Sequence, residues 1–172
     1  ASVSHDGEAV NAAKLLAALE SYAFVESEVS KLLKVAKTFI SPESQIVKLI
    51  NDIEEWHSLE KDWKKTRKNI DIHYGYHKFP GGCHIIPNHA LIILSLLYGE
   101  GNFNQTMKIV NTAGWDTDCN SGNIGCLIGI KNGLRCFEGK NDWRGPIGDI
   151  MYCPTADGSQ TITDALLSLI HI

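Results

Sequence analysis

Two aspartates one residue apart, Asp116 and Asp118, are the side chains of this sequence best placed to do chemistry. They follow Trp115 in the segment GWDTDCNSGNIGC, residues 114–126, at the start of a run of small and apolar residues. Two neighbouring carboxylates repel, and each raises the pKa of the other unless a cation lies between them. A hard divalent cation with oxygen ligands would remove that repulsion. The alternative is that the pair caps a helix and takes part in a hydrogen-bond network.

The spacing of the aspartates can be compared with that of the EF-hand calcium loop. Residues 116–127, DTDCNSGNIGCL, have Asp, Asp and Asn at the first, third and fifth positions. The sixth position holds Ser121 where that loop requires glycine, and the twelfth holds Leu127 where it requires a bidentate glutamate. The sequence therefore excludes an EF-hand.

The helix that must position the aspartates carries many glycines. They recur at spacings of three and four residues, which puts them on one helix face: Gly122, Gly125, Gly129 and Gly133. Each costs about 1 kcal/mol of helix stability relative to alanine, so we expect another helix to pack closely against this bare backbone. The opposite sides are apolar, with Ile124, Leu127, Ile128 and Leu134. We therefore predict a central, surrounded helix that runs to about Phe137.

Helical periodicity continues through the rest of the chain, which predicts an all-α fold over residues 1–172, as a single domain or a fragment of one. Helices are predicted over residues 7–25, 28–39, 62–72, 90–98 and 105–112, and one more follows Ser41 as N-cap and Pro42 as first helical residue. The segment ALIILSLLY, residues 90–98, is apolar on every side, which indicates a helix buried among other helices. The stretch GYHKFPGGCHIIPNHA before it is a predicted loop. Residues 139–160 are predicted to be irregular, with a last helix from Thr161.

Composition limits the partners of the protein. The net charge is −4, which gives no strong attraction to nucleic acid, and the basic residues of segment 61–69 are interpreted as a solvated helix face. Five cysteines without a CxxC pair argue against a disulfide framework and a structural zinc site. We expect free thiols, mostly buried, in a reducing cytoplasmic compartment. No segment has the uninterrupted apolar length of a membrane span.

The aspartate segment and its glycine helix, GWDTDCNSGNIGCLIGI, resemble the second metal motif of the ADP-ribosylglycohydrolase family. That motif has a glycine, Asp, any residue, Asp and commonly Thr or Ser, followed by a helix of small residues. The segments IPNHALIILSLLYGEGNF, DWRGPIGD and ASVSHDGEAV are similar to a bacterial-type branch of the family, so the similarity covers nearly the whole chain. The resemblance implies a compact, orthogonal bundle of helices.

The resemblance also implies a metal site with two Mg²⁺ ions, which Mn²⁺ or Ca²⁺ could replace. Asp116 and Asp118 take the positions of the family's carboxylate ligands, and Cys119 takes the position of its hydroxyl ligand. A thiol is a poor ligand for Mg²⁺, because hard cations choose oxygen. The family's other ligands come from an upstream Thr-Asp-Asp cluster, which these 172 residues lack. The chain is therefore interpreted as the C-terminal half of a member, an incomplete fold that is inactive alone.

The reaction implied by the resemblance is hydrolysis of an N- or O-glycosidic ADP-ribosyl bond. The substrate would be an ADP-ribosylated protein or a small ADP-ribosyl compound, and the partner would be the N-terminal half of the same protein or a homodimer mate. Candidate substrate-binding residues are His5, Asp6, Trp115 and Asn88. Helix capping is the alternative for His5, Asp6 and Asn88, and a packing role is the alternative for Trp115.

Two further classes of function stay open at the level of sequence. A non-enzymatic, crystallin-like or metal-binding helical domain would keep the fold and lose turnover, and a thiol at Cys119 favours this alternative. In a helical interaction domain, the aspartates would serve only as caps. No residue is assigned as the group that activates water.

Overall fold

The computed structural model describes residues 1–139, 141–148, 150–152 and 162–163. The chain divides into two compact units, Ala1–Cys136 and Phe137–Ile172. The prediction that residues 1–172 form a single domain or fragment stays a prediction.

The first unit is built from α-helices, which confirms the predicted all-α class. In chain order they are α1 Gly7–Ala23, α2 Val29–Lys37, α3 Gln45–Leu59, α4 Trp63–Tyr74, α5 Ile85–Tyr98, α6 Phe103–Thr112 and α7 Thr117–Asn132. No helix in the described part of the chain has the length and apolar character needed to cross a membrane.

Helix α5 lies at the centre of this unit and packs against α1, α3, α4, α6 and α7. The predicted burial of its apolar segment is confirmed, since residues such as Leu91 and Ile93 are fully buried. The helix begins at Ile85 rather than Ala90, because Pro87 sits in the first turn, where its missing N–H is not needed. His84 is the N-cap, and its Nδ1 accepts a hydrogen bond from the N–H of Ile86 at 3.2 Å. The helix therefore begins five residues earlier than predicted.

The start of α3 differs from its prediction. Ser41 and Pro42 lie in a turn before the helix, and Ser44 is the N-cap, accepting from the N–H of Ile46 at 3.1 Å. The carboxylate of Glu8, at the start of α1, also accepts from the N–H groups of Gln45 at 3.1 Å and Ile46 at 3.3 Å. The free N–H groups in the first turn of α3 therefore have an acceptor on a residue distant in sequence, which favours a helix start at Gln45.

Helix α7 is buried on one side only. Ile124, Leu127 and Ile128 are fully buried, and the helix packs against α1, α5 and α6. It ends at Asn132 and continues as a 3₁₀ turn, Gly133–Phe137, so the prediction of a helix to Phe137 was too long. Gly133 has φ +62°, a backbone conformation that only glycine adopts without strain and that ends the α-helix.

The expected close packing against the glycine face of α7 is wrong for the described residues. A Cβ atom added at Gly122 or Gly129 would meet nothing within 4 Å. At Gly125 it would meet only Met107, at 3.9 Å from Sδ, which is ordinary van der Waals contact. Leu134, expected among the packed apolar residues, is 72% exposed. Among the described residues, the glycine face therefore has no close neighbour, and they do not surround α7.

The second unit contains a 3₁₀ turn, Gly145–Ile147, and one short antiparallel ladder among its described residues. Met151–Tyr152 pairs with Ile162–Thr163, with Met151 opposite Thr163. The predicted irregular segment 139–160 thus includes short regular pieces. The helix predicted from Thr161 is wrong at residues 162–163, where a strand occurs, and residues 161 and 164–172 of that prediction lie outside the described residues.

Candidate metal centre

The N-terminus of α7 brings together the three residues predicted as metal ligands. One ligand atom each of Asp116, Asp118 and Cys119, a carboxylate oxygen or Sγ, lies within 4.8 Å of the others. Asp116 is half-buried, while Asp118 and Cys119 are exposed. Asp116 occupies the N-cap position of α7, but its side chain makes no capping hydrogen bond. Its carboxylate is thus not engaged in capping the helix.

The carboxylate of Asp118 is suited to stay ionised. A hydrogen bond with Asp116 lowers its pKa, and the backbone N–H groups of Cys119 and of Asp118 itself act in the same direction. These N–H groups belong to the first turn of α7, where backbone donors have no partner within the helix and the helix dipole favours negative charge. The helix start therefore offsets part of the repulsion that two adjacent carboxylates create.

The chain enters this cluster through an unusual backbone conformation. Gly114 has φ +91° and Trp115 has φ +61°, and a positive φ is uncommon for a bulky residue. Side-chain contacts hold the tryptophan there. The Arg67 guanidinium carbon lies 3.9 Å from the centroid of its ring, and Tyr76 makes an edge contact with centroids 5.4 Å apart. Arg67 Nε also donates a hydrogen bond to the carbonyl of Ala113 at 2.8 Å. One ring face of Trp115 is covered by the guanidinium.

Asn88 meets the aspartate segment from inside the protein. Its side chain is buried in the first turn of α5, with 4% of the residue exposed. Its Oδ1 accepts from the N–H of Asp116 at 3.1 Å and from Nδ2 of Asn120 at 3.1 Å. Its Nδ2 donates to the hydroxyl of Tyr76 at 2.7 Å and to the carbonyl of His84 at 3.0 Å. The residue is therefore inside α5, and His84 rather than Asn88 caps that helix.

Two thiols flank the Asp116 carboxylate. A hydrogen bond with Asp116 and the negative charge of both aspartates raise the pKa of Cys119. A hydrogen bond of its own to Asp116 and the charges of both aspartates likewise raise the pKa of Cys83. The backbone of Cys83 has φ +53°. Both groups therefore stay neutral thiols at neutral pH. Cys83, Cys119 and Cys126 are exposed free thiols and only Cys136 is buried, so the expectation of mostly buried cysteines is wrong for the described residues.

Comparison with known families decides which protein family carries this arrangement. The chain matches the sequence model of the family described as ADP-ribosylglycohydrolase over residues 1–171. It belongs to the ADP-ribosylglycohydrolase family. No curated protein and no solved structure matches the chain. The resemblance inferred from the aspartate motif and its glycine helix is thereby confirmed.

Membership of this family implies a Mg²⁺ site, and the donor atoms of the cluster can be compared with those that Mg²⁺ prefers. Asp116 and Asp118 present carboxylate oxygens close together, which is the donor type that Mg²⁺ prefers. The Cys119 thiol is a soft donor held in its neutral form, so it does not fit a Mg²⁺ ligand. The two carboxylates fit the ion, and the residue at the family's hydroxyl position does not.

His5 and Asp6, the remaining predicted site residues of this family member, lie exposed before α1. The Nδ1 atom of His5 is 2.7 Å from the hydroxyl of Ser4. Asp6 occupies the N-cap position with φ −134°, yet its side chain makes no capping hydrogen bond. Among the described residues, neither side chain makes a hydrogen bond or ion pair with Asp116 or Asp118.

Sequence reasoning missed Arg67 and Tyr76, which contact Trp115, and Cys83, whose pKa Asp116 raises. Arg67 was grouped with a solvated basic face, although its side chain is largely buried against Trp115. Tyr76 and Cys83 lie in the glycine-rich loop before α5, where spacing gives no periodic signal. Only the adjacent glycines at positions 81 and 82 indicated an irregular backbone that could bring that loop to the helix start.

Proposed function

We propose that the complete protein hydrolyses an ADP-ribosyl bond, N- or O-glycosidic, and uses a divalent cation that Asp116 and Asp118 help to hold. The observation that carries this proposal is the convergence of the two carboxylates at the start of α7 in a member of the ADP-ribosylglycohydrolase family. The substrate class is an ADP-ribosylated protein or a small ADP-ribosyl compound. Mg²⁺ is the proposed ion, with Mn²⁺ or Ca²⁺ as substitutes.

This chain supplies only part of the proposed metal site. Two carboxylates leave most positions of a six-coordinate ion to other donors, and the 172 residues contain no Thr-Asp-Asp cluster. The surface beside the carboxylates is open, since Cys119 and Gly122 are exposed. We propose that the missing ligands come from residues outside this sequence, on the N-terminal half of the same protein or on a second copy. The chain alone would then be inactive.

The residues of this chain have defined tasks in the proposed reaction. Asp116 and Asp118 would hold the cation, because their carboxylate oxygens lie close together at the start of α7. When bound, the cation would supply an electrostatic template for the ribose hydroxyls and the attacking water. In the hydrolysis itself, a water oxygen bonds to the anomeric carbon, the glycosidic bond breaks, and a proton from water passes to the leaving nitrogen or oxygen.

The test is release of ADP-ribose by the complete protein from N-linked and O-linked ADP-ribosyl compounds. We expect release that requires Mg²⁺, stops when a chelator is added, and falls at least ~100-fold in Asp116→Asn and Asp118→Asn, because each variant removes a charged ligand. Asp62→Asn is the matched control: Asp62 is an exposed aspartate at the start of α4, and its capping oxygen would be kept. Release that survives the chelator or both substitutions would contradict the proposal.

A non-enzymatic role in cation binding is the second candidate, and the neutral thiol of Cys119 favours it. A crystallin-like or metal-binding helical domain would retain Asp116 and Asp118 and lack turnover. The same assay separates the two candidates. Binding of Mg²⁺ by the complete protein without release of ADP-ribose from either kind of linkage would favour the non-enzymatic role.

A further inference from the structure

We propose that Asn88 is a positioning residue that sets the affinity of the Asp116–Asp118 pair for its cation. This inference rests on the proposed function, but its structural part concerns only residues of this chain. Asn88 touches no carboxylate oxygen in the hydrogen bonds described above. It acts through the backbone of Asp116 and through the first turn of α7.

The oxygen of the Asn88 amide holds two parts of the aspartate segment at once. The N–H of Asp116 and the Nδ2 group of Asn120 both donate to Oδ1, each at 3.1 Å. Asn120 is itself almost fully buried. One acceptor from α5 therefore fixes both the residue that starts α7 and a side chain one turn into that helix. A shift of the aspartate segment would leave buried donors without partners, which is costly.

The nitrogen of the same amide fixes its orientation. Nδ2 donates to the Tyr76 hydroxyl and to the His84 carbonyl, and a carbonyl can only accept. Rotating the amide by half a turn would place NH₂ against the N–H of Asp116 and an oxygen against the carbonyl of His84. Both exchanges are repulsive, so the network admits one orientation of Asn88 and always presents an acceptor to Asp116.

Tyr76 connects this hydrogen-bond network to the strained backbone of the aspartate segment. Its hydroxyl accepts from Asn88, and its ring packs against Trp115, which has a positive φ. Arg67 adds its guanidinium to the ring of Trp115 and a hydrogen bond to the carbonyl of Ala113. The residues on both sides of Gly114 are thus restrained by groups from α4, α5 and the loop between them. Asp116 leaves this restrained segment in a defined direction before any cation binds.

Restraint of a ligand raises affinity because less conformational entropy is lost on binding. Residues that orient metal ligands typically change metal affinity by about 10- to 100-fold when they are replaced. We therefore expect Asn88→Leu, which keeps the branching of the side chain but removes every hydrogen bond of the amide, to weaken cation binding by about 10-fold.

The experiment compares Asn88→Leu with Tyr98→Phe in the complete protein. Tyr98 lies at the other end of α5, where its hydroxyl donates to the carbonyl of Glu60 at 2.7 Å and lies 2.7 Å from the hydroxyl of Thr66. Both variants remove buried hydrogen bonds from one helix, but only Asn88→Leu touches the aspartate segment. Hydrogen exchange at the Asp116 amide is read by NMR without cation, and dissociation constants for Mg²⁺ and Mn²⁺ are read by calorimetry.

We expect Asn88→Leu to speed exchange at Asp116 by at least about 10-fold and to weaken Mg²⁺ and Mn²⁺ binding by about 10-fold. Tyr98→Phe should change neither quantity. If Asn88→Leu does not fold, Tyr76→Phe replaces it, because that variant removes one hydrogen bond to Asn88 and keeps the ring against Trp115. It should produce smaller changes in the same direction.

A folded Asn88→Leu or Tyr76→Phe variant with unchanged exchange at Asp116 and unchanged cation affinity would overturn the inference. Equal changes in the Tyr98→Phe control would also overturn it, since the effect would then be general loosening of α5. Failure of the proposed function gives a different result. The wild-type protein would then release no ADP-ribose, or would bind neither cation, while the exchange of the Asp116 amide would still depend on Asn88.

Discussion

Helices α5 and α7 lie against each other and are both rich in small or apolar residues, yet they meet their surroundings in opposite ways. Helix α5 is buried around its whole circumference. Helix α7 buries Ile124, Leu127 and Ile128 on one side and leaves Gly122 and Cys126 exposed on another. Large apolar side chains on every side of a helix indicate that other elements cover it on every side. Glycines only permit a close approach and do not show that anything makes it.

The difference has a chemical counterpart at the helix starts. In α5 the first turn contributes Asn88, a polar side chain that is buried and fully hydrogen-bonded. In α7 the first turn contributes Asp118 and Cys119, which are exposed. The buried helix α5 therefore provides the support, and the exposed start of α7 presents the candidate metal ligands. Variants in the two helices should differ in stability, in pH dependence and in tolerance of added volume.

The largest expected effect is loss of core volume in α5. Ile93 is fully buried, so Ile93→Ala should lower the free energy of unfolding by about 2–5 kcal/mol through lost burial and a residual cavity. Leu134, just beyond α7, is 72% exposed, and Leu134→Ala should change stability by less than about 0.5 kcal/mol. Urea unfolding of both variants measures the contrast. Equal destabilisation would show that the region beyond α7 is as closely packed as α5.

The next effect is a pH dependence that arises in α5. His89 is fully buried, neither ring nitrogen has a hydrogen-bond partner among the described residues, and burial lowers its pKa to about 4. In the unfolded chain the imidazole of His89 takes up a proton near pH 6.5, whereas in the folded protein it stays neutral until the pH is near 4. The contribution of His89 to the free energy of unfolding is therefore fully present above about pH 6.5 and is lost as the pH falls toward 4. The loss is roughly 3 kcal/mol, since each unit of pKa difference corresponds to about 1.4 kcal/mol.

The variant His89→Leu isolates this contribution from other groups that titrate in the same range. The difference in unfolding free energy between wild type and His89→Leu, measured by urea unfolding between pH 7 and pH 4, should change with pH in the direction that disfavours the wild type in acid. A difference that stays constant over this range would mean that His89 is solvated or protonated in the folded protein.

The smallest expected effect is a gain in stability on the open face of α7. Because an added Cβ would meet nothing within 4 Å, Gly122→Ala and Gly129→Ala should each stabilise the chain by up to about 1 kcal/mol. Gly133→Ala is the control of opposite sign, since its φ of +62° strains any other residue by about 1–3 kcal/mol. Thermal or urea unfolding gives the ranking. Destabilisation by Gly122→Ala would reveal a close neighbour on the glycine face.

Local patterns in the sequence predicted the helices of the first unit, the burial of the apolar segment in α5 and the meeting of Asp116 with Asp118. These features depend on residues close together in the chain. The start of α3 could not be read in that way, because its first N–H groups are satisfied by Glu8. Ser41 and Pro42 formed a good local start signal, and a tertiary contact favoured Ser44 instead.

The support of the candidate site was also beyond local sequence reasoning. Asn88 lies 28 residues before Asp116, and Arg67 lies earlier still, so no spacing rule links them to the aspartates. The family motif gave Asp116 and Asp118 but not the conformation that presents them. That conformation depends on a tryptophan with positive φ and on its contacts with Arg67 and Tyr76, which appear only in the folded chain.

The claim that the open end of α7 holds a divalent cation is tested most directly by calorimetric titration of the complete protein with Mg²⁺. The comparison is between the wild type and the double variant Asp116→Asn, Asp118→Asn, with Asp62→Asn as control. We predict that the wild type and the control bind the ion with the same affinity, and that the double variant binds at least ~100-fold more weakly, since both charged ligands are removed. Equal affinity in all three proteins would contradict the account.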